Sequence, residues 1–473
     1  MALKFFNTLS RSVQEFVPKD PSGKKVRMYC CGPTVYDIAH IGNFRTFIFS
    51  DLVRRYLEFK GYAVQFVMNV TDVEDKIIKG VRNTKTPLAE YTGKFEKLFF
   101  EDLQALGCLR PHHTPRATEF IAEIISLIEK LIVRGIAYKA PDGSVYFSID
   151  KYQGAGCCYG QLLKLNFEEM RRGERVSNDE YEKESIADFA LWKARVPDDG
   201  DVFWPSPWGE GRPGWHIECS AMSMKLLGPS FDIHMGGEDL IFPHHEDEIA
   251  QSEGAGLQKP GEHFVNYWLH GAHLLVEGKK MSKSLGNFYT ARDLFAKNFS
   301  GREIRYLLLT AHYRESFNFT IEGLTGARTA LARIDECLTK LREIAGSTTA
   351  APDTALLEKF SEALDEDLNI SQAWGEVFKW VNETNRALAA NQVTPEKAAA
   401  GLAAWEKVNS VLGVGATLQE AEIPAEITSL LEQRQAARKA KDFKRSDQIR
   451  DELKTKGWVI EDTPKGPRLK RIG

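Results

Sequence analysis

Residues 24–67 read KKVRMYCCGPTVYDIAHIGNFRTFIFSDLVRRYLEFKGYAVQFV. Two periodicities follow one another in this stretch. Residues 24–30 form a short extended run closed by Gly32 and Pro33; Phe47, Ile48, Leu52 and Leu57 then recur at roughly helical spacing, and 62–67 return to strand character. The pattern predicts a strand–helix–strand unit, and such units build parallel sheets that hold ligands beyond the carboxyl ends of their strands. The loop 31–42 lies at that end. It places His40, Gly42 and Asn43 at the first turn of the helix, where unpaired N–H groups and the helix dipole favour phosphate. Gly42 also lets a planar base or sugar approach the backbone. Read alone, a His-Ile-Gly-Asn run is equally a helix cap beside a core histidine.

Outward from this unit, 116–135 (RATEFIAEIISLIEKLIVRG) predict an amphipathic helix, and the Tyr- and Gly-rich stretch 137–160 predicts short antiparallel strands. Residues 171–212 are polar, Pro-rich and Trp-rich, with turn signals at 197–200 and 205–207. The stretch 110–212 therefore reads as an insertion that splits a sheet whose strand and helix signals return at 214–300. From about 302 to 413 apolar residues keep helical periods, which predicts a helical bundle. A short linker then leads to a basic tail with one helix signal at 434–441 and one strand signal at 457–460. The expected division is 1–109 and 213–301 for the two halves of the α/β sheet domain, 110–212 for the insertion, 302–413 for the bundle and 414–473 for a small α+β domain.

The chain has 473 residues, a formal net charge of −4, 43% hydrophobic and 27% charged residues, near the average for globular proteins. No stretch approaches the ~18 apolar residues of a membrane span, and the N-terminus lacks a secretory pattern. A cytoplasmic location with no membrane partner is expected. Seven cysteines, with adjacent pairs at Cys30-Cys31 and Cys157-Cys158, argue against a disulfide framework and leave metal or thiol chemistry. Charge is uneven: residues 434–473 hold 13 basic and 6 acidic residues, net +7, which leaves −11 for the rest. Such a tail suits an anionic partner.

Three further segments carry chemistry. Residues 278–287 (GKKMSKSLGN) set Lys279, Lys280 and Lys283 among serines and glycines, a cationic loop able to close over a triphosphate. Cys31, Cys219, His244 and Glu248 offer two thiolates, one imidazole and one carboxylate, a donor set of zinc type; Pro243 suits a helix start, which would put His244 and Glu248 on one face and turn His245 away. Trp215 could wall an amino-acid-sized pocket, and Asp239 could receive an ammonium group. Each has a plain alternative: a solvated turn, an ordinary i,i+4 surface pair with small core cysteines, a packed tryptophan and a helix-capping aspartate.

Together the segments resemble a family. Residues 33–43 look like the HIGH signature of class I aminoacyl-tRNA synthetases, and KMSKS at 280–284 matches their second signature completely. CGPTVYD at 31–37, NVTDVEDK at 69–76, WPSPWGEGRPGWHIECSAM at 204–222 and FPHHEDE at 242–248 resemble the cysteinyl-tRNA synthetases within that class. The resemblance covers nearly the whole chain. It implies a Rossmann-type catalytic domain split by a connective insertion, then a helical bundle and a small anticodon-binding domain. It also implies a two-step reaction with ATP, L-cysteine and tRNA(Cys): attack of the cysteine carboxylate on the α-phosphorus, then transfer of the acyl group to the tRNA 3′ end.

By motif position the resemblance puts zinc on Cys31, Cys219, His244 and Glu248, ATP near His40, Gly42 and Lys283, and cysteine near Thr71, Trp215 and Asp239. Catalysis would fall to His40, Asn43, Lys280 and Lys283, with Mg2+ accompanying ATP and a monomeric enzyme expected. Zinc would select the soft thiolate over a serine hydroxyl. In the tail, base contacts would come from residues such as Trp458 or Arg468.

Two departures stand out. Asn43 replaces the last histidine of HIGH and still donates hydrogen bonds, so activity is expected with altered nucleotide contacts. Glu238 stands in a Gly-Gly-x-Asp-Leu run where small or apolar residues are usual, and the sequence supplies no reason for it. The nearest alternative function is a cysteine ligase that acylates an amino sugar, which has no use for the basic tail; a zinc hydrolase and an inactive tRNA-binding protein are the others.

Overall fold

A computed structural model describes residues 2–163, 188–281, 286–415, 425–456, 458–463 and 466–471. Four parallel strands form the central sheet in the order Val265–Gly271, Phe231–Gly237, Lys25–Cys30, Ala63–Met68. Alternate residues serve two cores. Val26, Met28 and Cys30 join Phe66, Met68, Ile233, Met235 and Leu269 on one face, whereas Tyr29, Val67 and Trp268 share the other. Burial on both faces is what a parallel sheet requires.

The first strand in sequence lies inside the sheet. From it the chain crosses by helix Ile41–Phe59 to Ala63–Met68 on one flank, and later returns to Phe231–Gly237 on the other. The strand order therefore reverses between Lys25–Cys30 and Phe231–Gly237, and their carboxyl ends open a crevice between them. This is the expected α/β class of fold with a split sheet.

Residues 112–115 run beside Ala63–Met68, with His112 and Met68 N–H groups donating to Phe66 O and His113 O at 2.9 and 3.1 Å. The inserted fold itself starts at helix Ile121–Val133 and continues as an antiparallel sheet of Ala137–Lys139, Val145–Phe147, Phe189–Ala194 and Gly211–Pro213. Ile124, Leu127, Ile128 and Leu131 recur at 3–4 residue spacing and pack on Val145, Phe147, Leu191 and Trp192. Where short strands were expected through residue 160, Ile149–Gly154 is helical, because the Ser148 hydroxyl accepts from Lys151 N–H and caps a turn there. Of the expected polar stretch 171–212, residues 171–187 lie outside the described residues.

Helices Gly301–Leu308, Ile321–Ala345, Thr354–Asp365, Ile370–Ala389 and Pro395–Leu412 form the bundle. Leu324, Ala327, Leu331, Ile334, Leu338 and Leu341 make the buried seam of the longest helix. Bundle and sheet domain share one hydrophobic core, and a buried ion pair crosses between them. Arg305 Nη2 lies 2.6 Å from Asp51 Oδ2, and Arg305 Nε donates to Leu412 O at 2.6 Å. Asp51 also accepts from Arg55 Nε at 2.7 Å and Leu109 N–H at 2.8 Å.

Residues 416–473 pack as a separate unit. Helices Ala425–Lys439 and Phe443–Thr455 and the hairpin Trp458–Thr463/Gly466–Arg471 enclose Ile427, Leu430, Ile449, Leu453 and Trp458. Trp458, expected to read bases, is only 8% exposed and is the keystone of this small core. A domain of this size has a small core and needs a large apolar side chain inside it.

Removing one partner of a buried pair strands the other charge. Asp51→Ala should therefore cost about 3–5 kcal/mol in urea denaturation, whereas Glu366→Ala, which breaks the exposed pair with Lys4, should cost under about 1 kcal/mol.

Candidate active site

The crevice is lined by the first residues after two strands. Cys31 follows Lys25–Cys30 and its N–H donates to Met235 O at 3.1 Å, holding it against the neighbouring strand. Gly32 must be glycine, because a Cβ there would meet Asn69 O at 1.7 Å; this close passage lets Gly32 N–H donate to Asn69 Oδ1 at 2.9 Å. Thr34 and Thr71 then form a parallel bridge, with Val35 and Thr71 N–H groups donating at 3.1 and 3.0 Å. Thr71 is buried and accepts at its hydroxyl from Asn69 Nδ2 at 3.2 Å.

Cys219, on helix Trp215–Leu227, and Glu248, on helix Glu246–Gly254, meet Cys31 and His244 in a buried cluster. Cys31 Sγ lies 3.8 Å from Cys219 Sγ and 3.5 Å from Glu248 Oε1, and His244 Nε2 lies 3.1 Å from Glu248 Oε1. Tetrahedral zinc with bonds of about 2.0–2.3 Å holds neighbouring donors about 3.3–3.8 Å apart. The four side chains fit an ion of that size with little movement.

Electrostatics favour a cation here. The hydrogen bond from Cys31 lowers Cys219 to about 6 despite burial, while burial holds Cys31 well above the ordinary thiol range. Burial opposes charge on Glu248, yet His234 and His244 outweigh it and lower the carboxylate to about 2. Burial likewise opposes charge on His244, but Cys219 and Glu248 raise it to about 10. Protons thus hold together groups that a divalent ion would bind as anions and a neutral imidazole.

A second layer of side chains orients the donors. His244 Nδ1 lies 2.8 Å from His216 Nδ1, and His216 Nε2 lies 3.4 Å from Asp247 Oδ2, whose other oxygen accepts from Tyr159 OH. One tautomer set satisfies this row and leaves His244 Nε2 facing the cluster. Glu248 Oε2 pairs with His234 Nε2 at 2.9 Å, and His234 stacks on Trp268 at 4.4 Å.

His245 does not turn away as expected. Its Nε2 is 3.4 Å from Cys31 Sγ, and its Nδ1 is 2.8 Å from His270 Nε2. The reason is local: the backbone is extended at Phe242 and helical after it, so His245 stands at i,i+3 to Glu248 and shares its side of the helix. A set of Cys31, His234, His245 and Glu248 is also within metal-binding distance. The set with both thiols has the softer donors, and His234 and His245 are engaged with Glu248 and His270. Residues His216, His234, His245, His270 and Trp268 were not singled out in the sequence; the available signal was the same-face pair Trp268 and His270 on one strand.

The signature residues sit at the other wall. His40 caps helix Ile41–Phe59: Asn43 N–H donates to His40 Nδ1 at 3.2 Å, and His40 N–H donates to Asn43 Oδ1 at 3.1 Å. Asn43 therefore closes a capping box in place of histidine. A Cβ on Gly42 would meet the His40 ring at 3.0 Å and Met281 Cε at 3.2 Å, so the two signature segments touch here. Lys280 is exposed on the short strand Lys279–Lys280, and Lys283 lies outside the described residues. Trp215, 40% exposed, lies 4.5 Å from the His244 ring, and Asp239 is exposed in the turn Glu238–Leu240.

Residues 18–329 match the family described as tRNA synthetases class I (C) catalytic domain, 359–417 match the DALR domain, and 420–467 match the cysteinyl-tRNA ligase anticodon binding domain. The chain is 46% identical to the cysteine–tRNA ligase of Chlamydia muridarum over 100% of both chains. It is 45% identical to that of Protochlamydia amoebophila over 99% of this chain and 98% of the relative. The chain belongs to the cysteine–tRNA ligase family.

Among solved structures, methionyl-tRNA synthetase of Mycobacterium tuberculosis in complex with methionyl-adenylate shares the fold at TM-score 0.58, with 16% identity, 82% of this chain and 90% of that one covered. The Agrobacterium radiobacter LeuRS–tRNA–LeuAMS complex does so at TM-score 0.58, with 12% identity, 84% and 85% covered. As a cysteine–tRNA ligase family member the chain is an enzyme of the class I synthetases, and its buried Cys, His and Glu cluster is compatible with a metal.

Cys219→Ala and Glu248→Gln should each abolish retention of a stoichiometric metal ion through gel filtration, measured by elemental analysis. His216→Ala keeps all four donors and should weaken metal affinity about 10- to 100-fold, read by chelator competition.

Proposed function

We propose that this ligase activates L-cysteine with ATP and passes the cysteinyl group to the 3′ end of tRNA(Cys), with zinc held by Cys31, Cys219, His244 and Glu248. The observation that carries the reading is the meeting of two thiols, Cys31 and Cys219, in one buried cluster directly after the strand that leads into the His40 helix. Bound zinc supplies a soft Lewis acid that prefers a thiolate to a serine hydroxyl. Trp215, 4.5 Å from the His244 ring, would wall the cysteine pocket, and Thr71 and Asp239 would receive the amino group of cysteine.

No protein nucleophile is needed, so the protein's contribution is position and charge. His40 and Asn43, locked by their mutual cap, present the helix N-terminus to the phosphates of Mg2+·ATP. Lys280 and Lys283 neutralise charge that grows on the leaving pyrophosphate. The net +7 of 434–473 supports tRNA binding through phosphate contacts. A cytoplasmic, monomeric enzyme completes the proposal; among the described residues no helix is long and apolar enough to cross a membrane.

Cysteine-dependent ATP–pyrophosphate exchange tests it. Serine should support exchange at least ~10³-fold more weakly, since soft donors on the metal reject a hard hydroxyl; equal exchange with both amino acids would remove the metal's selecting role. Lys283→Ala should slow adenylate formation about 10²–10³-fold with cysteine binding intact, as expected for a group that acts mainly in the transition state.

Truncation after Gly415 removes the separate unit. Exchange should survive, while tRNA charging weakens and loses part of its salt dependence.

A further inference from the structure

Arg45 lies two residues beyond Asn43 on the same helix and is only 6% exposed. Among the described residues its guanidinium has no carboxylate partner within 4 Å. Nη1 donates to Ala272 O at 3.1 Å and His273 O at 2.7 Å, and Nη2 donates to His312 O at 3.3 Å and to Glu315 O. Cζ sits 5.5 Å from the centre of the Phe317 ring. One side chain thus ties together two chain segments more than thirty residues apart in sequence.

Both segments are roots of the same three-stranded sheet. Ala272 and His273 lead from Val265–Gly271 into Leu274–Val276, which pairs antiparallel with Lys279–Lys280 and parallel with Phe317–Phe319. His312 and Glu315 lead into Phe317–Phe319. Further up, Asn287 Nδ2 donates to Val276 O and Lys280 O, both at 3.2 Å. The height of Lys280 above the helix start at His40 is therefore set at the point where Arg45 grips.

Glu238 braces the root from the opposite side. Its Oε1 accepts from His273 N–H at 2.8 Å and lies 3.5 Å from His273 Nε2. This accounts for the one residue in 236–240 that the sequence left unexplained. Glu238 follows Gly236 and Gly237 directly, so the brace runs from the amino-acid wall to the hairpin that carries the lysines. Lysine could not replace Arg45: an ammonium is a point donor, whereas the planar guanidinium spans four carbonyls along two segments.

We propose that Arg45 is a positioning residue for adenylate formation, fixing the root of the Leu274–Lys280 hairpin against the His40 helix, with Glu238 as its brace. The proposal rests on the reading of Lys280 as a charge clamp on ATP. Arg45 touches no substrate and acts through the lysines.

The test uses the full-length, metal-loaded enzyme and cysteine-dependent pyrophosphate exchange. Arg45→Lys should lower kcat about 10- to 100-fold, as a displacement of about 1 Å does, with the KM for cysteine within about twofold. Glu238→Gln keeps the acceptor for His273 N–H and should nearly restore what Glu238→Ala loses. In the double variant Arg45→Lys/Lys280→Ala the two losses should fall well short of multiplying, because a misplaced lysine is already lost.

Losses that multiply, or a KM for cysteine that rises with the fall in kcat and in thermal midpoint, would mean that Arg45 only supports packing and would overturn the proposal. If Lys280→Ala slows exchange and Arg45→Lys does not, the Arg45 role alone falls. If Lys280→Ala has no effect, the clamp reading fails and takes the Arg45 role with it.

Discussion

A carboxylate buried to zero exposure, Glu248, is the constraint around which the catalytic half is arranged. Removing an ion from water costs several kcal/mol unless charged or hydrogen-bonding partners replace the solvent. Glu248 receives these from two directions, His234 on one oxygen and His244 on the other, with Cys31 against the second. Those partners come from the middle of one strand, from just past the end of another and from the turn before a helix. The sheet register, the bend at Phe242 and the glycine passage at Gly32 are all needed to bring them within reach of one point.

Around that point the charges are graded. Next to it stand groups able to bind a divalent ion; behind them a row of imidazoles, His216, His234, His245 and His270, ends on Asp247, Glu248 and Thr8. Such a row can hold its protons in one consistent order, which aims His244 Nε2 at the cluster without adding charge beneath it. Burial holds His245 and His270 well below the ordinary imidazole range, so these two are neutral. Two neutral, hydrogen-bonded imidazoles beside the anionic donors add no charge that would compete with a cation.

The catalytic crevice is also tied to what lies beyond it by arginines rather than by apolar contacts alone. Arg305 with Asp51 joins the bundle to the His40 helix, and Arg45 joins that helix to the hairpin of Lys280. Both use a planar cation to satisfy several carbonyls where a helix end or a loop would leave them buried and unpaired. The helix that begins at the proposed phosphate site is thereby held at its first turns and at its middle.

The sequence by itself determined the α/β character of residues 24–67, the helical character of 302–413 and the split sheet. These rest on local periodicity and on residue type, which a linear chain displays; the four donors Cys31, Cys219, His244 and Glu248 came as a set only through the family resemblance. The sequence could not determine that His245 faces the cluster, since Cys31 and His270 reach it from separate strands. Nor could it show that Trp458 is inside its unit, because a tryptophan suits a core and a base-stacking surface alike. The row Tyr29, His234, Trp268 exists only through register across three strands. Arg45 and Glu238 carry no local signal either. Their partners are backbone atoms of residues remote in sequence, and backbone atoms are the same at every position, so only the tertiary structure could say which carbonyls they hold.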